Sequence, residues 1–368
     1  MGELTGWART NRRLNMRRSR SGLKSLYSKA KRRGSFLGGD LRRRLKRRWL
    51  LYGYRLYQRM SQWRRYKKER ARVSKEIGYE PTLQNPETIN EKILWKKIHD
   101  RSPLLTRTTD KVEVRKYVRE KLGDIADTLL IPLLHVAADP SDLPLTDCPV
   151  PFVVKANHAW NTNLFVHERR RDGWFVASAG GEPRSLWNRR EVIDQCNRWL
   201  NHTHGFADHQ WAYSGIDRKV FIEPLLADAF EGKYPEAKID CFHGVPTYIL
   251  GIAHHDGGRA MSLLDAKGNR LDVQAGIHGE VPDDILVDLR AQIPTLRRYA
   301  ARLAEDFDYC RVDFYVTPEG PRFSEITHYP CSGARTMIPQ DFDREIGSHW
   351  KIPHAWDRPV ENEAFVVT

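Results

Sequence analysis

"CRVDFYVTPEGPRFSEITHYPCSG", residues 310–333, decides how the chain is read. Two short apolar runs flank a Pro-Glu-Gly turn, which predicts an antiparallel hairpin. Arg311 and Asp313 sit two apart on the first strand and so share a face, and Glu325 arrives on the second. Taken alone, a hairpin at a sheet edge with a charged outer face accounts for this pattern.

Charged residues recur in other apolar runs. Lys155 lies in PFVVKAN, Glu223 in VFIEPLL, and Lys238 and Asp240 in AKIDCF. Each one singly reads as an outward-facing strand residue, because an unpaired charge is costly to bury. Together, two lysines, an arginine and two carboxylates from separate strands have the composition of a site for polyphosphate with divalent metal. Carboxylate oxygens hold Mg²⁺, and cations neutralise the phosphate oxygens that the metal leaves uncovered.

The surrounding elements are a mixture. Thr88 to Glu91 has the form of a capping box and opens a helix in ETINEKILWKKIHD, and TTDKVEVRKYVREKLG predicts a second helix closed by Gly123. Strands are expected in TLLIPLLHVA, PFVVKANHA, GWFVASA and RKVFIEPLLA, and a helix in SLWNRREVIDQCNRWLNHTHG, ended by Gly205. AKIDCFHGVPTYILGIAHH reads as a hairpin turning at Gly244, and DILVDLRAQIPTLRRYAARLAEDF as a long helix disturbed at Pro294. Hairpins mixed with amphipathic helices make an α+β fold; the strict β-α alternation of a Rossmann domain is missing.

The net charge of +14 over 368 residues is unevenly placed. Residues 1–75 hold 26 Lys and Arg against Glu3, Asp40 and Glu69, a local charge of +23, so the remainder carries −9. A mildly acidic body does not suit nucleic acid, and no nucleic-acid partner is expected. Residues 1–38 are rich in Arg, Ser and Gly and are expected to be disordered. From Asp40 the apolar residues Leu41, Leu45, Trp49, Tyr52, Leu56, Met60, Trp63 and Tyr66 recur every three or four positions among Arg and Lys. This predicts a basic amphipathic helix over residues 40–70, suited to an anionic membrane surface, to an acidic partner, or to packing on its own domain. Five cysteines without a CxxC spacing, and a start without an apolar segment, lead to the expectation of reduced thiols and a cytoplasmic location, peripheral at the inner membrane face if the helix docks there.

The order of these motifs resembles the ATP-grasp superfamily and, within it, the teichuronopeptide-biosynthesis-like (TupA-like) ATP-grasp proteins. The resemblance runs from Thr88 to Arg335, roughly two-thirds of the chain. INEKILWKKIHDRSPLLTRTTDKVEVRKYV looks like the family's opening, FVVKANH its first lysine strand and KVFIEPLL its hinge strand. KIDCFHGVP is similar to its second lysine hairpin, and RVDFY with FSEITHYPCSG to its metal hairpin. The resemblance implies an ATP-grasp fold, two α+β lobes gripping ATP, after a basic helical N-terminal extension. The expected organisation is an extension (1–75), an N-terminal helical lobe (76–150), the nucleotide- and metal-binding domain (151–345) and a tail (346–368).

Carried over residue by residue, the resemblance places Lys111 and Arg115, on one helix face, together with Lys155 and Lys238 at the ATP phosphates. It places Glu223 and the backbone through Leu225 at the adenine edge, and Asp228 or Glu231 at the ribose. Asp240 is expected to orient Lys238. Asp313 and Glu325 would hold Mg²⁺, with Thr327 where many relatives carry Asn, and Arg311 would stabilise the transferred phosphoryl group. Ser332 and Gly333 lie where backbone N–H groups would meet the acceptor or an oxyanion. The phosphate loop, usually Gly-rich, reads NHAWNTN here, leaving side chains of Asn157, His158, Asn161 and Thr162 as donors. The implied reaction is ATP- and Mg²⁺-dependent activation of a carboxylate as an acyl phosphate, then attack by an amine. The substrates would be a small-molecule or glycan carboxylate and an amine acceptor, in the making of a cell-surface polysaccharide. Two alternatives stand beside it: a degenerate, non-catalytic binding module, and kinase-type phosphoryl transfer to a sugar.

Overall fold

The computed structural model describes residues 52–180, 182–226, 235–255, 258–275 and 279–352. The chain divides into Met1–Tyr57 and Gln58–Thr368. Of the first unit residues 52–57 are described, and they are helical. Of the amphipathic stripe expected from Asp40, Leu41, Leu45 and Trp49 lie outside the described residues, while Tyr52, Leu56, Met60, Trp63 and Tyr66 lie within them.

The second unit opens with helical residues 58–63, after which Arg65 (φ 49°) and Tyr66 (φ 53°) take left-handed conformations that end the run. Helix α1 (Lys67–Ile77) then packs Val73 and Ile77 on Leu94 and Ile98 of α2 (Ile89–His99). As the sequence predicts, Thr88 and Glu91 form a capping box at the start of α2, each side chain accepting from the other's backbone N–H.

The second expected helix is divided. Helix α3 (Pro103–Thr109) stops where the Asp110 carboxylate accepts from the N–H groups of Val112 and Glu113, and α4 (Val114–Leu122) starts after that turn. Two further expectations are corrected. TLLIPLLHVA is not one strand: Thr128 and Leu129 close the short helix α5 (Ile125–Leu129), Pro132 offers no N–H to a ladder, and strand β1 is confined to His135–Ala137. In SLWNRREVIDQCNRWLNHTHG the helix α6 (Arg189–Asn201) starts late and ends before Gly205, because Asn188 and Glu191 cap it and Ser185–Trp187 is a strand.

Two antiparallel sheets dominate the described residues. The first contains β1, β2 (Phe152–Ala156), β3 (Asn163–Arg169), β4 (Phe175–Ala179), β5 (Ser185–Trp187) and β6 (Val220–Pro224), in the order β1-β6-β2-β3-β4-β5. Helix α6 covers it, burying Val192, Cys196 and Trp199 with Phe152, Val154 and Ile222. The second has the order β12-β11-β7-β8-β9, from β7 (Glu236–Phe242), β8 (Val245–His255) and β9 (Gly258–Asp265), then β11 and β12. A small pair is formed by β10 (Gln274–Ala275) and β13 (Met337–Ile338); β11 is Tyr309–Thr317 and β12 is Gly320–Thr327. The β7–β8 hairpin turns at His243 (φ 50°) and Gly244 (φ 78°), both left-handed as a two-residue turn of this hand requires. Helix α7 (Asp283–Ala304) runs through Pro294 and lays Leu286, Leu289, Ile293, Leu296 and Leu303 in the core beneath this second sheet. A last helix, α8 (Asp341–Ser348), lies against α2. The fold is the expected α+β.

Candidate active site

The opening hairpin does form a sheet edge, through β12, but Arg311 and Asp313 are buried rather than on a solvated exterior. Strand β11 lies between β12 and β7, and Asp313 is directly opposite Glu325 on one side and Lys238 on the other. Arg311, opposite Thr327 and Asp240, shares that face. Asp313 is 1% exposed and is held by three charge-assisted bonds. Arg311 donates to both its oxygens at 2.7 Å, and Lys238 Nζ donates to Oδ2 at 3.0 Å. Lys238 also pairs with Glu236 at 2.7 Å, and these carboxylates hold its ammonium above the ordinary lysine range although burial acts the other way.

Glu325 is reached by Lys111 Nζ at 3.1 Å and accepts from Thr327 Oγ1 at 3.1 Å. Burial pushes its carboxyl up, but Lys111, Lys238 and Arg311 outweigh it and bring it down to about 2. The result is a pair of carboxylates on adjacent strands, ringed by Arg311 from Asp313's own strand, Lys238 from β7 and Lys111 from the turn before α4. Among the described residues no three His, Cys, Asp or Glu side chains converge as a metal cage. Asp313, Glu325 and the Thr327 hydroxyl nevertheless form an all-oxygen donor set of the type Mg²⁺ prefers, completed by substrate phosphates and water rather than by protein.

The first sheet contributes a second group of charges. Lys155 on β2 forms an ion pair with Glu223 on β6, which Arg115 NH1 approaches at 3.8 Å. Burial alone would depress Lys155, but Glu223, Tyr315 and Glu325 reverse it and raise it. Electrostatic coupling to Tyr315 and Glu325 links Lys155 to the second sheet.

Several expected placements are corrected. Lys111 is not on the face of α4: it lies in the turn before it and reaches Glu325 from there. Asp240 does not orient Lys238; it accepts from Tyr309 Oη at 2.7 Å and pairs with Arg335 at 3.7 Å. Leu225 N–H donates to Pro151 O at 3.2 Å, so that donor is already used. Ser332 N–H likewise donates to Tyr329 O at 2.9 Å and is not an open oxyanion donor. Gly333 (φ 73°) serves packing, since a Cβ there would lie 2.8 Å from Asn90 O. Asp228 and Glu231 lie outside the described residues.

The loop after β2 is fixed by its own side chains. Asn157 donates to Asp217 O and accepts from Lys219 N–H, at 2.9 and 2.8 Å, while His158 Nε2 bonds Trp199 O at 3.2 Å. Thr162 Oγ1 donates to Ala159 O. These three side chains point inward and are spent on the fold, contrary to the expectation that they donate to phosphates. Trp160, at the tip, is 68% exposed.

Sequence reasoning missed Glu236, Tyr315 and Lys97. Glu236 and Tyr315 had a signal, because they continue the period-two alternation of Lys238 and of Arg311–Asp313.

The chain matches the family described as TupA-like ATPgrasp over residues 91–351. No curated protein matches it significantly. Among solved structures it is similar to D-alanine–D-alanine ligase from Bacillus anthracis complexed with ATP, at 17% identity and TM-score 0.32, covering 61% of this chain and 57% of that one. The ATP-grasp ligase PsnB complexed with its minimal precursor gives 11% identity and TM-score 0.33, covering 67% and 61%. D-Alanine–D-alanine ligase from Helicobacter pylori gives 14% and 0.32, covering 66% and 59%. The chain thus spans about three-fifths of the length of these structures. With the family match covering most of the chain and including every one of the paired charges of the site, the chain belongs to the TupA-like ATP-grasp family.

Proposed function

We propose that this protein is an ATP- and Mg²⁺-dependent ligase that activates a carboxylate as an acyl phosphate and joins it to an amine. The observation that carries this reading is the cross-strand Asp313–Glu325 pair, surrounded by Lys111, Lys238 and Arg311. Two carboxylates and a hydroxyl suit Mg²⁺, which supplies charge neutralisation and alignment of the phosphates when bound. With Mg²⁺ held by Asp313 and Glu325, Lys111 and Lys238, which pair with these carboxylates, would be available to phosphate oxygens, as would Lys155 of the other sheet. Arg311, held bidentately by Asp313, is set to stabilise charge on the transferred phosphoryl group.

In the first step the substrate carboxylate oxygen attacks the γ-phosphorus and the bond to ADP breaks. In the second an amine attacks the acyl carbon, phosphate leaves, and the amine loses a proton. The substrates fit the family's connection with cell-surface polysaccharide: a uronic-acid carboxylate and an amino acid. A place at an anionic membrane face is supported by Met60 and Trp63, 57% and 81% exposed, among exposed Arg59, Arg64, Arg65, Lys67 and Lys68. Among the described residues no helix is long and apolar enough to cross a membrane.

A binding-only reading has one observation in its favour: the phosphate loop has its side chains turned inward. ADP release that depends on both a carboxylate and an amine separates the two readings; nucleotide binding without turnover over a broad panel favours the second.

A further inference from the structure

Two adjacent lysines of α2 are fully buried and have opposite surroundings. Lys96 Nζ lies 2.6 Å from Asp100 and 2.5 Å from Asp308, and 5.6 Å from the centroid of the Trp350 ring. Lys97 is 0% exposed and, among the described residues, has no ion-pair partner. Its ammonium donates to Ser332 O at 2.7 Å and Ser332 Oγ at 2.9 Å. A buried ammonium whose hydrogen-bond partners are all neutral is expensive.

Two further donors converge on the same hydroxyl. Arg72 NH2, from α1, is 3.1 Å from Ser332 Oγ, and Gln210 Nε2 is also at 3.1 Å. A hydroxyl oxygen has two lone pairs and one proton of its own to place, so three N–H donors exceed its capacity. Turning the Gln210 amide would satisfy the hydroxyl proton, yet the Lys97 ammonium and Arg72 NH2 would still both donate to one neutral oxygen, while Arg72 NH1 pairs with Asp208 at 3.2 Å. A carboxylate, with about four acceptor sites and a negative charge, matches this donor set. Cys331 (φ 48°), Ser332 (φ 57°) and Gly333 (φ 73°) hold the turn in left-handed conformations that present Ser332 to these donors.

We propose that Arg72, Lys97 and Gln210, gathered at Ser332, form the subsite for a substrate carboxylate that is held in place and not phosphorylated. The choice of a carboxylate rests on the ligase reading above; the convergence of three donors on one hydroxyl does not. Two sources share this chemistry, a uronic acid and an amino acid. The charged groups around Lys97 are Arg72, Asp208 and Glu69. Burial and Arg72 depress the ammonium, against the two carboxylates, to about 7. An anion bound there stabilises the protonated form, so its affinity falls as pH rises through this range.

The test uses the full chain with Mg²⁺-ATP present and measures binding of D-glucuronate and of L-alanine, with D-glucose and sulfate as controls, from pH 6 to 9. Wild type is expected to bind one of the two carboxylates and not glucose. Arg72→Gln, a change at a partly exposed side chain, and Lys97→Gln should each weaken that binding at least tenfold, and Lys97→Gln should flatten its pH dependence. Unchanged affinity in Arg72→Gln, a flat pH profile in wild type, binding of neither carboxylate, or displacement by equimolar sulfate would each overturn the subsite. Should Lys97→Gln fail to fold, the Arg72→Gln and pH results decide. Wild type that binds Mg²⁺-ATP and turns it over while both variants bind normally removes the subsite alone. Wild type that does not bind Mg²⁺-ATP removes the ligase reading instead.

Discussion

Asp313 and Glu325 are direct cross-strand partners, and the two carboxylates are kept apart in role by their cations: Arg311 and Lys238 on the buried Asp313, Lys111 on the more exposed Glu325. Like charges placed opposite one another destabilise a sheet unless something neutralises them. Here the lysines do so, and a divalent ion would do it better.

The two carboxylates therefore differ in what their loss does. Asp313→Asn leaves Arg311 and Lys238 without their shared anion in a buried position, and should cost about 3–5 kcal/mol of stability as well as turnover. Glu325→Gln, with the residue's side chain 34% exposed, should leave the melting temperature near wild type while raising the Mg²⁺ concentration needed for ADP release at least tenfold. Thermal melts beside Mg²⁺ titrations check both; Mg²⁺ dependence unchanged in Glu325→Gln argues against metal binding there.

Lys155→Met and Lys238→Met should each weaken ATP binding by about 1.5–3 kcal/mol, the range for hydrogen bonds to charged groups. The first also leaves Glu223 with Arg115 alone. Calorimetry giving wild-type affinity for the double variant would remove both lysines from the phosphate site.

His158 makes the fold acid-sensitive. Burial, with Arg218 nearby, lowers its pKa from 6.5 to about 3. The unfolded chain takes up the proton first, so this contribution is complete above pH 6.5 and is lost as pH falls toward 3. His158→Gln should flatten that decline in chemical-denaturation midpoints measured between those values; an identical slope in the variant would exclude His158 as its source.

Membrane docking has a narrower test than removal of residues 1–75, which would cut through α1 and expose Leu94 and Ile98. Met60→Ser with Trp63→Ser should reduce co-sedimentation with anionic vesicles at low salt and leave the melting temperature unchanged. Equal sedimentation of the variant and wild type would exclude this face.

The fold class was legible because the hairpins alternate strongly and the capping box at Thr88 is explicit. The first sheet is less legible: NLFVHER, the strand β3, carries His167 and Glu168 within its apolar run, and no strand is expected there from the sequence. Local hydrogen bonding decided the other misses, at Asp110 and Asn188, whose side chains end one element and start another. At the site, the charges of the central strands were found because charge in an apolar run is conspicuous. Lys97 was not, because in KILWKKIHD two lysines read as a solvated helix face, and only packing against Ser332 reveals that one of them is buried without a counter-ion.

Incubating the full-length protein with ATP, Mg²⁺ and paired pools of uronic acids and amino acids, while following ADP release and product mass, tests the central claim most directly. The account predicts ADP released one for one with a condensed product, lighter than its two substrates by one water, and little of either with Glu325→Gln. A product heavier than one substrate by a phosphoryl group, or nucleotide bound without ADP release across all pairs, would contradict it.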